Sequence, residues 1–227
     1  GDVAAMIAEP IQGVGGFATP PDGFFGAMKK ELDNRGVLFI SDEVQTGWGR
    51  TGEHFWGYQA HGMVPDILTF AKGVANGLSL GGVVAGAELM DSLPGNSLST
   101  FGGNPVSSVG ALATIRYMLE HDVQGHALRM GDRLVGHLQP VVDASEVVAE
   151  ARGKGLMRAL ETVQPGTIEP DAAAAGRIME EARAAGLLVG KGGLYGNVIR
   201  IAPPMTVTAE EIDEAGTILA GIVERLG

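Results

Sequence analysis

Residues 37–47 read VLFISDEVQTG and residues 66–73 read DILTFAKG, two apolar runs that each end on charged or polar side chains. Both runs are continuously apolar rather than alternating, as in strands covered on two faces, and this pattern belongs to parallel sheets with helices on either side. Further strand-like runs lie at 3–8 and 83–87, and a helix pattern occupies 24–35. The alternation predicts a parallel sheet in an α/β sandwich, where ligands gather at the carboxyl ends of the strands. Asp42 and Lys72 stand at two of those ends.

Taken singly, each residue has an ordinary explanation. Asp42 can cap the turn after its strand, although a carboxylate emerging from a buried strand calls for a cationic partner. Lys72 can leave its strand for water, whereas a lysine kept from water favours the neutral amine that forms a Schiff base with a carbonyl. Taken together, they are the pair that a pyridoxal-phosphate enzyme requires. The amine carries the cofactor, and the carboxylate keeps the pyridine nitrogen protonated so that the ring can accept electrons when the substrate Cα loses its proton.

Outward from this stretch, Asn104 followed by Pro105 starts a helix that runs to about residue 121, with Asn as the cap and Pro at the first helical position. The order then changes to a helix over 125–138, strands over 147–151 and 156–163, and a helix over 171–185. Strands follow at 187–189 and 198–201, and a last helix opens on the capping box Thr208 to Glu211. These elements predict a smaller α+β domain over 121–227 after a cofactor-domain portion over 1–120. The four alanines at 172–175 are helix filling, and there is no internal repeat.

The 227 residues are 45% hydrophobic with a net charge of −11 and no basic run, which points to a small-molecule partner and away from nucleic acid or membrane. No apolar stretch approaches the roughly 20 residues needed to span a bilayer, so a soluble chain is expected, with the cytoplasm as its location. The absence of cysteine excludes disulfides and thiolate zinc sites. Gly1 leads straight into the 3–8 strand with no cap or leader, which reads as a start in mid-fold. His54, His61, His121, His126 and His137 form no metal-ligand spacing with nearby acids, so no metal is expected, and no serine sits in a G-x-S-x-G elbow. Residues 13–18 (GVGGFA) match a dinucleotide-binding pattern in form, but Pro20 and Pro21 follow where that motif needs a helix.

Five segments carry a family resemblance: EPIQG at 9–13, SDEVQTGWGRTG at 41–52, FAKG at 70–73, STFGGNP at 99–105 and RGKGLM at 152–157. In order and separation they resemble the class III aminotransferases, pyridoxal-phosphate enzymes of fold type I. EPIQGVGG, HFWG at 54–57, LLVGKGG at 187–193 and RIAPPM at 200–205 are similar to the alanine–glyoxylate aminotransferase 2 type of that family. The resemblance implies the second half of a large α/β/α sandwich domain followed by the C-terminal α+β small domain. It implies that Lys72 forms the Schiff base and then shuttles the substrate proton, and that Asp42 holds the pyridinium nitrogen. Val44 would press on one ring face and Gln45 would reach the phenolic oxygen. Thr100 would bind the cofactor phosphate across a homodimer interface, Arg200 would grip a substrate carboxylate, and Glu9 would stand behind Gln45 or the substrate.

The implied reaction moves an amino group from an amino acid or omega-amine to a 2-oxo acid such as pyruvate or glyoxylate. Relatives acting on 4-aminobutyrate or ornithine can carry, at the position of Val14, a glutamate that neutralises the arginine; valine leaves Arg200 ungated. In the family, the phosphate-binding turn and the aromatic that stacks on the ring lie upstream of EPIQG, so these residues alone should hold the cofactor weakly. Two alternatives stay open: an aminomutase or racemase on the same scaffold, and an inactive truncated copy serving as a dimerisation module.

Overall fold

The structure is a computed structural model describing residues 2–227; Gly1, which opens the first strand-like stretch in the sequence, lies outside the described residues. The chain folds as two compact units. One comprises the residues up to Pro10, Pro20–Gly49 and His54–Gln124, and the other Ile11–Thr19, Arg50–Glu53 and Gly125–Gly227.

The first unit is built on a four-stranded sheet of β1 (Ala5–Ala8), β2 (Leu38–Asp42), β3 (Ile67–Phe70) and β4 (Gly82–Ala85), in that order. α1 (Phe24–Asp33) lies between β1 and β2 in the chain and buries Phe25. The Phe25 ring lies 5.6 Å from that of Phe39 on β2. β1 and β3 both run parallel to β2, with Ala8 opposite Ser41 and Asp42 opposite Thr69. β4 corrects the expectation of a wholly parallel sheet, because it pairs antiparallel with β3, Phe70 opposite Gly82. The link from β3 to β4 holds only a short 3₁₀ turn, Lys72–Ala75, and no crossover helix of the kind a parallel return needs. Cover on both faces is also not met within this chain: Ile7, Val83 and Val84 are 60%, 54% and 58% exposed. After β4 come the short helix α2 (Ala87–Asp91) and the long α3 (Pro105–Glu120). The side-chain oxygen of Asn104 accepts the Ser107 amide at 3.0 Å, which is the cap that the Asn-Pro pair predicts.

The second unit contains α4 (Val123–Ala144) from its third residue on, β5 (Val148–Lys154), β6 (Met157–Thr162), α5 (Ala172–Ala184), β7 (Gly190–Gly192), β8 (Val198–Ile201) and α6 (Ala209–Leu226). Its sheet, in the order β5-β6-β8-β7, is antiparallel throughout. Leu160, Ile199 and Ile201 from the strands pack with Leu134, Leu138, Ile178, Leu219 and Ile222 from the helices into one buried core. Both helix starts are capped: Asp171 accepts the Ala173 and Ala174 amides, and Thr208 and Glu211 bond reciprocally as a capping box. The strand expected at 187–189 forms instead at Gly190–Gly192. Leu187 donates its amide to Ala182 at 2.8 Å to close α5, so ladder pairing begins only where Gly190 meets Arg200.

Candidate active site

The carboxyl edge of the first sheet is where the sequence places its chemistry. Glu9 follows β1 directly, Asp42 ends β2, and Lys72 stands two residues beyond β3. Because these three strands are parallel neighbours in register, their ends share one edge, with adjacent strands about 4.8 Å apart. Asp42 is half-buried, and its Oδ1 accepts the Val44 amide at 3.0 Å, which is the turn-capping role considered from sequence. No cation pairs with it among the described residues, and its second oxygen has no donor. Val44 and Gln45 follow in the same turn, both half-buried.

Lys72 is exposed in this chain, as in the first of the two readings considered for it, a lysine that leaves its strand for water. Its backbone lies in the left-handed region (φ 45°) where the chain turns out of β3. The glycine that follows packs closely on Trp48, since a Cβ on Gly73 would make a tight contact, 3.3 Å, with Trp48 Cδ1. Trp48 belongs to a buried aromatic cluster with Phe55, Trp56 and Phe70 and backs this turn. Lys72 opens onto a shallow cavity of about 510 Å³ lined also by Gly73, Asn76, Gly77, Ser79 and Leu80. Its amine makes no hydrogen bond or ion pair among the described residues.

The residue that holds this edge in place is one that the sequence reading did not single out. Glu43 is 0% exposed, and its carboxylate accepts four donors. These are Ser41 Oγ at 3.2 Å, Thr46 Oγ1 at 2.5 Å, the Gly57 amide at 2.8 Å and the Tyr58 amide at 2.8 Å. Four donors satisfy the carboxylate's acceptor capacity without a cation. They pin the turn carrying Val44 and Gln45 to the start of a 3₁₀ turn at Gly57–His61. A signal was available: Phe39 and Ser41 are buried on β2, and the two-residue period continues that inward face to Glu43.

Thr100 lies in the same unit, in an exposed turn before α3 where the Gly102 amide donates to Ser99 at 3.2 Å. Leu98 and Phe101 beside it are 92% and 80% exposed. Arg200 belongs to the second unit, on β8, with Ala159 opposite it on β6. Its Nε is buried without a hydrogen-bond partner, and no ion pair to it exists among the described residues. Among the described residues, no group of three or more His, Cys, Asp or Glu side chains is placed to hold a metal ion. No helix of the described residues is long and apolar enough to cross a membrane.

A family model described as aminotransferase class-III matches residues 1–223. The chain belongs to the class III aminotransferase family. It is 41% identical over 218 residues to the alanine/serine racemase of Pyrococcus horikoshii, covering 96% of this chain and 46% of that protein. To the mitochondrial alanine–glyoxylate aminotransferase 2 homolog 2 of Arabidopsis thaliana it is 40% identical over 215 residues, covering 94% and 45%. Among solved structures, a phospholyase from Arthrobacter in complex with phosphoethanolamine superposes with a TM-score of 0.93 at 32% identity, covering 99% of this chain and 54% of that one. The chain thus spans about half the length of the relatives it matches, and its fold is that of the fold-type I pyridoxal-phosphate enzymes.

Class III aminotransferases are pyridoxal-phosphate enzymes. The residues at the first sheet's edge fit that cofactor on their own chemistry: an unpartnered primary amine and a carboxylate with a free oxygen stand on neighbouring strand ends of one sheet. The open, glycine-rich cavity beside Lys72 leaves room for a ligand there.

Proposed function

We propose that this chain is the catalytic-lysine half of a pyridoxal-phosphate transaminase. The amino donor would be an amino acid or omega-amine, and the acceptor a 2-oxo acid such as pyruvate or glyoxylate. The observation that carries the reading is the placing of Asp42 at the carboxyl end of one strand and of Lys72 just beyond that of its parallel neighbour. When bound, the cofactor supplies an electron sink for the substrate Cα. Lys72 holds it through its ε-amine and is then the base that moves the proton at that carbon. Asp42 supplies the negative charge that keeps the ring nitrogen protonated, Val44 contacts the ring face, and Gln45 donates to the phenolic oxygen. Glu9 braces the same edge from behind Gln45.

In this proposal residues 1–120 form part of the cofactor-binding domain and 121–227 the small domain. Arg200 on β8 binds the substrate carboxylate through its two-pronged guanidinium. Val14 at the gating position supports continuous availability of that cation, because valine cannot form an ion pair with it. We also propose a homodimer in which Thr100 binds the phosphate held by the partner. The exposed Leu98, Phe101, Val106 and Val109 around it are the kind of apolar patch that a second copy would cover.

Incubating the complete protein with pyridoxal phosphate, L-alanine and glyoxylate, and measuring pyruvate and glycine, tests the reaction type. Release of both products supports transamination. Interconversion of L- and D-alanine with no keto product would replace it with racemisation, the activity that the Pyrococcus relative's name records.

A further inference from the structure

The segment Ile11–Thr19 contains the GVGGFA stretch and belongs to the second unit. Ile11 and Phe17 pack against Met157, Ala159 and Val198, on the sheet face opposite the helices. Two polar ties fix it there: the Gly193 amide donates to Val14 at 3.0 Å, and Arg152 Nε donates to Gly16 at 2.9 Å. Arg152 is itself held by ion pairs to Glu150 and Glu161.

At the centre of this segment, Phe17 is 1% exposed and has φ of 54°. That left-handed conformation is rare for a residue bearing a Cβ and is the natural place for glycine, which already fills the two preceding positions. Backbone bonds hold it: the Phe17 amide donates to Gln12 at 2.8 Å, and the Gln12 amide to Ala18 at 3.1 Å. This conformation places the ring under Arg200, with Cζ 4.9 Å from the ring centroid. Gly192 keeps space clear beside the arginine, since a Cβ there would come within 2.6 Å of Arg200 Cδ.

We infer that Phe17 is a positioning and specificity residue for carboxylate substrates, holding the Arg200 guanidinium by a cation–π contact in place of an acidic partner. The inference rests on the proposed role of Arg200. A carboxylate partner would fix the guanidinium equally well, but a substrate carboxylate would then have to displace it. The ring attracts the cation through its face and leaves the in-plane N–H donors available. Buried beside an arginine with an orphaned Nε, the contact has the desolvated setting in which such pairs are strongest.

The test measures propionate binding, by calorimetry, to the complete holoenzyme; propionate carries the carboxylate but has no amino or keto group to react. Phe17 is replaced by mono-, di- and trifluorinated phenylalanine, which keep its shape while draining the ring face, and separately by leucine; Arg200→Gln serves as reference. The expected result is a propionate Kd that climbs stepwise with fluorination to about fivefold to thirtyfold, the range from an exposed to a desolvated cation–π contact. KM for L-alanine should rise in parallel, while KM for a donor amine without a carboxylate and the melting temperature stay fixed. A flat Kd across the fluorinated series, with binding abolished in Arg200→Gln, overturns the role of Phe17 and leaves that of Arg200 standing. Undiminished binding in Arg200→Gln overturns the reading of Arg200 itself. If Phe17→Leu fails to fold, the fluorinated series decides alone.

Discussion

In the second unit's sheet, Leu160, Ile199 and Ile201 are sealed beneath three helices and Ala159 and Val198 lie under the Ile11–Thr19 segment, whereas in the first unit Ile7, Val83 and Val84 stand open. The polar chemistry is divided the other way. The first sheet's edge presents an amine and a carboxylate with unused capacity, while the second unit offers the Arg200 guanidinium, braced by an aromatic ring. The contrast teaches that the interactions holding this chain together and those able to hold a cofactor are separate. They meet in the first unit at Glu43, whose buried bonds fix the turn beside Asp42, and at Trp48, which backs the turn that carries Lys72.

The sharpest way to break the comparison is to remove the amine. Lys72→Ala in the complete protein should lower turnover by about 10³-fold or more, since both cofactor attachment and proton transfer are lost. The exposed position of Lys72 means that the melting temperature of the cofactor-free protein should not move. A comparable fall in both quantities would make Lys72 structural instead.

Next in size is the core contrast, read by urea unfolding of this chain. Leu160→Ala in the sealed core should cost about 2–5 kcal/mol. Ile7→Ala at the open sheet should stay within about 0.5 kcal/mol, the range of surface substitutions. Equal costs at the two sites would show that the first sheet is covered in solution.

Glu43→Gln probes the point where the two roles meet. An amide nitrogen turned toward the Gly57 or Tyr58 amide sets donor against donor, which should cost about 1–3 kcal/mol of stability. Because the turn also carries Val44 and Gln45, retention of pyridoxal phosphate on dialysis should fall in the same variant. Lost stability with full cofactor retention would confine Glu43 to the fold.

The smallest effect lies on the second unit's surface. Arg133, and then His137, hold the Asp213 carboxyl well below its ordinary value. A depressed folded pKa contributes stability that is present above the unfolded value, near 3.8, and is lost as pH falls below it. Asp213→Asn should therefore lower the melting temperature slightly at neutral pH, by a gap that narrows as the pH is taken down from 4 toward 2. A gap that widens toward acid would contradict this sign.

Much of this was legible in the sequence where physics is local. Asn104 with Pro105 and Thr208 with Glu211 mark helix starts through bonds that span three residues. Asp42 and Lys72 stood out because charge at the end of an apolar strand demands a reason. What stayed hidden depends on distant partners. The antiparallel return of β4 is decided by pairing with β3, and the place of Phe17 by Arg200, far along the chain. The boundary read near residue 121 describes where helical order changes. It could not foretell that Ile11–Thr19 and Arg50–Glu53 pack with the second unit, since that packing leaves no periodicity behind.

The most direct test is to trap the cofactor chemically. The complete protein loaded with pyridoxal phosphate is reduced with borohydride, digested and mapped by mass spectrometry. The account predicts a pyridoxyl group on Lys72, with the labelled fraction falling sharply in Asp42→Ala. A label fixed to another lysine such as Lys29, Lys154 or Lys191, or no label at all, would contradict it.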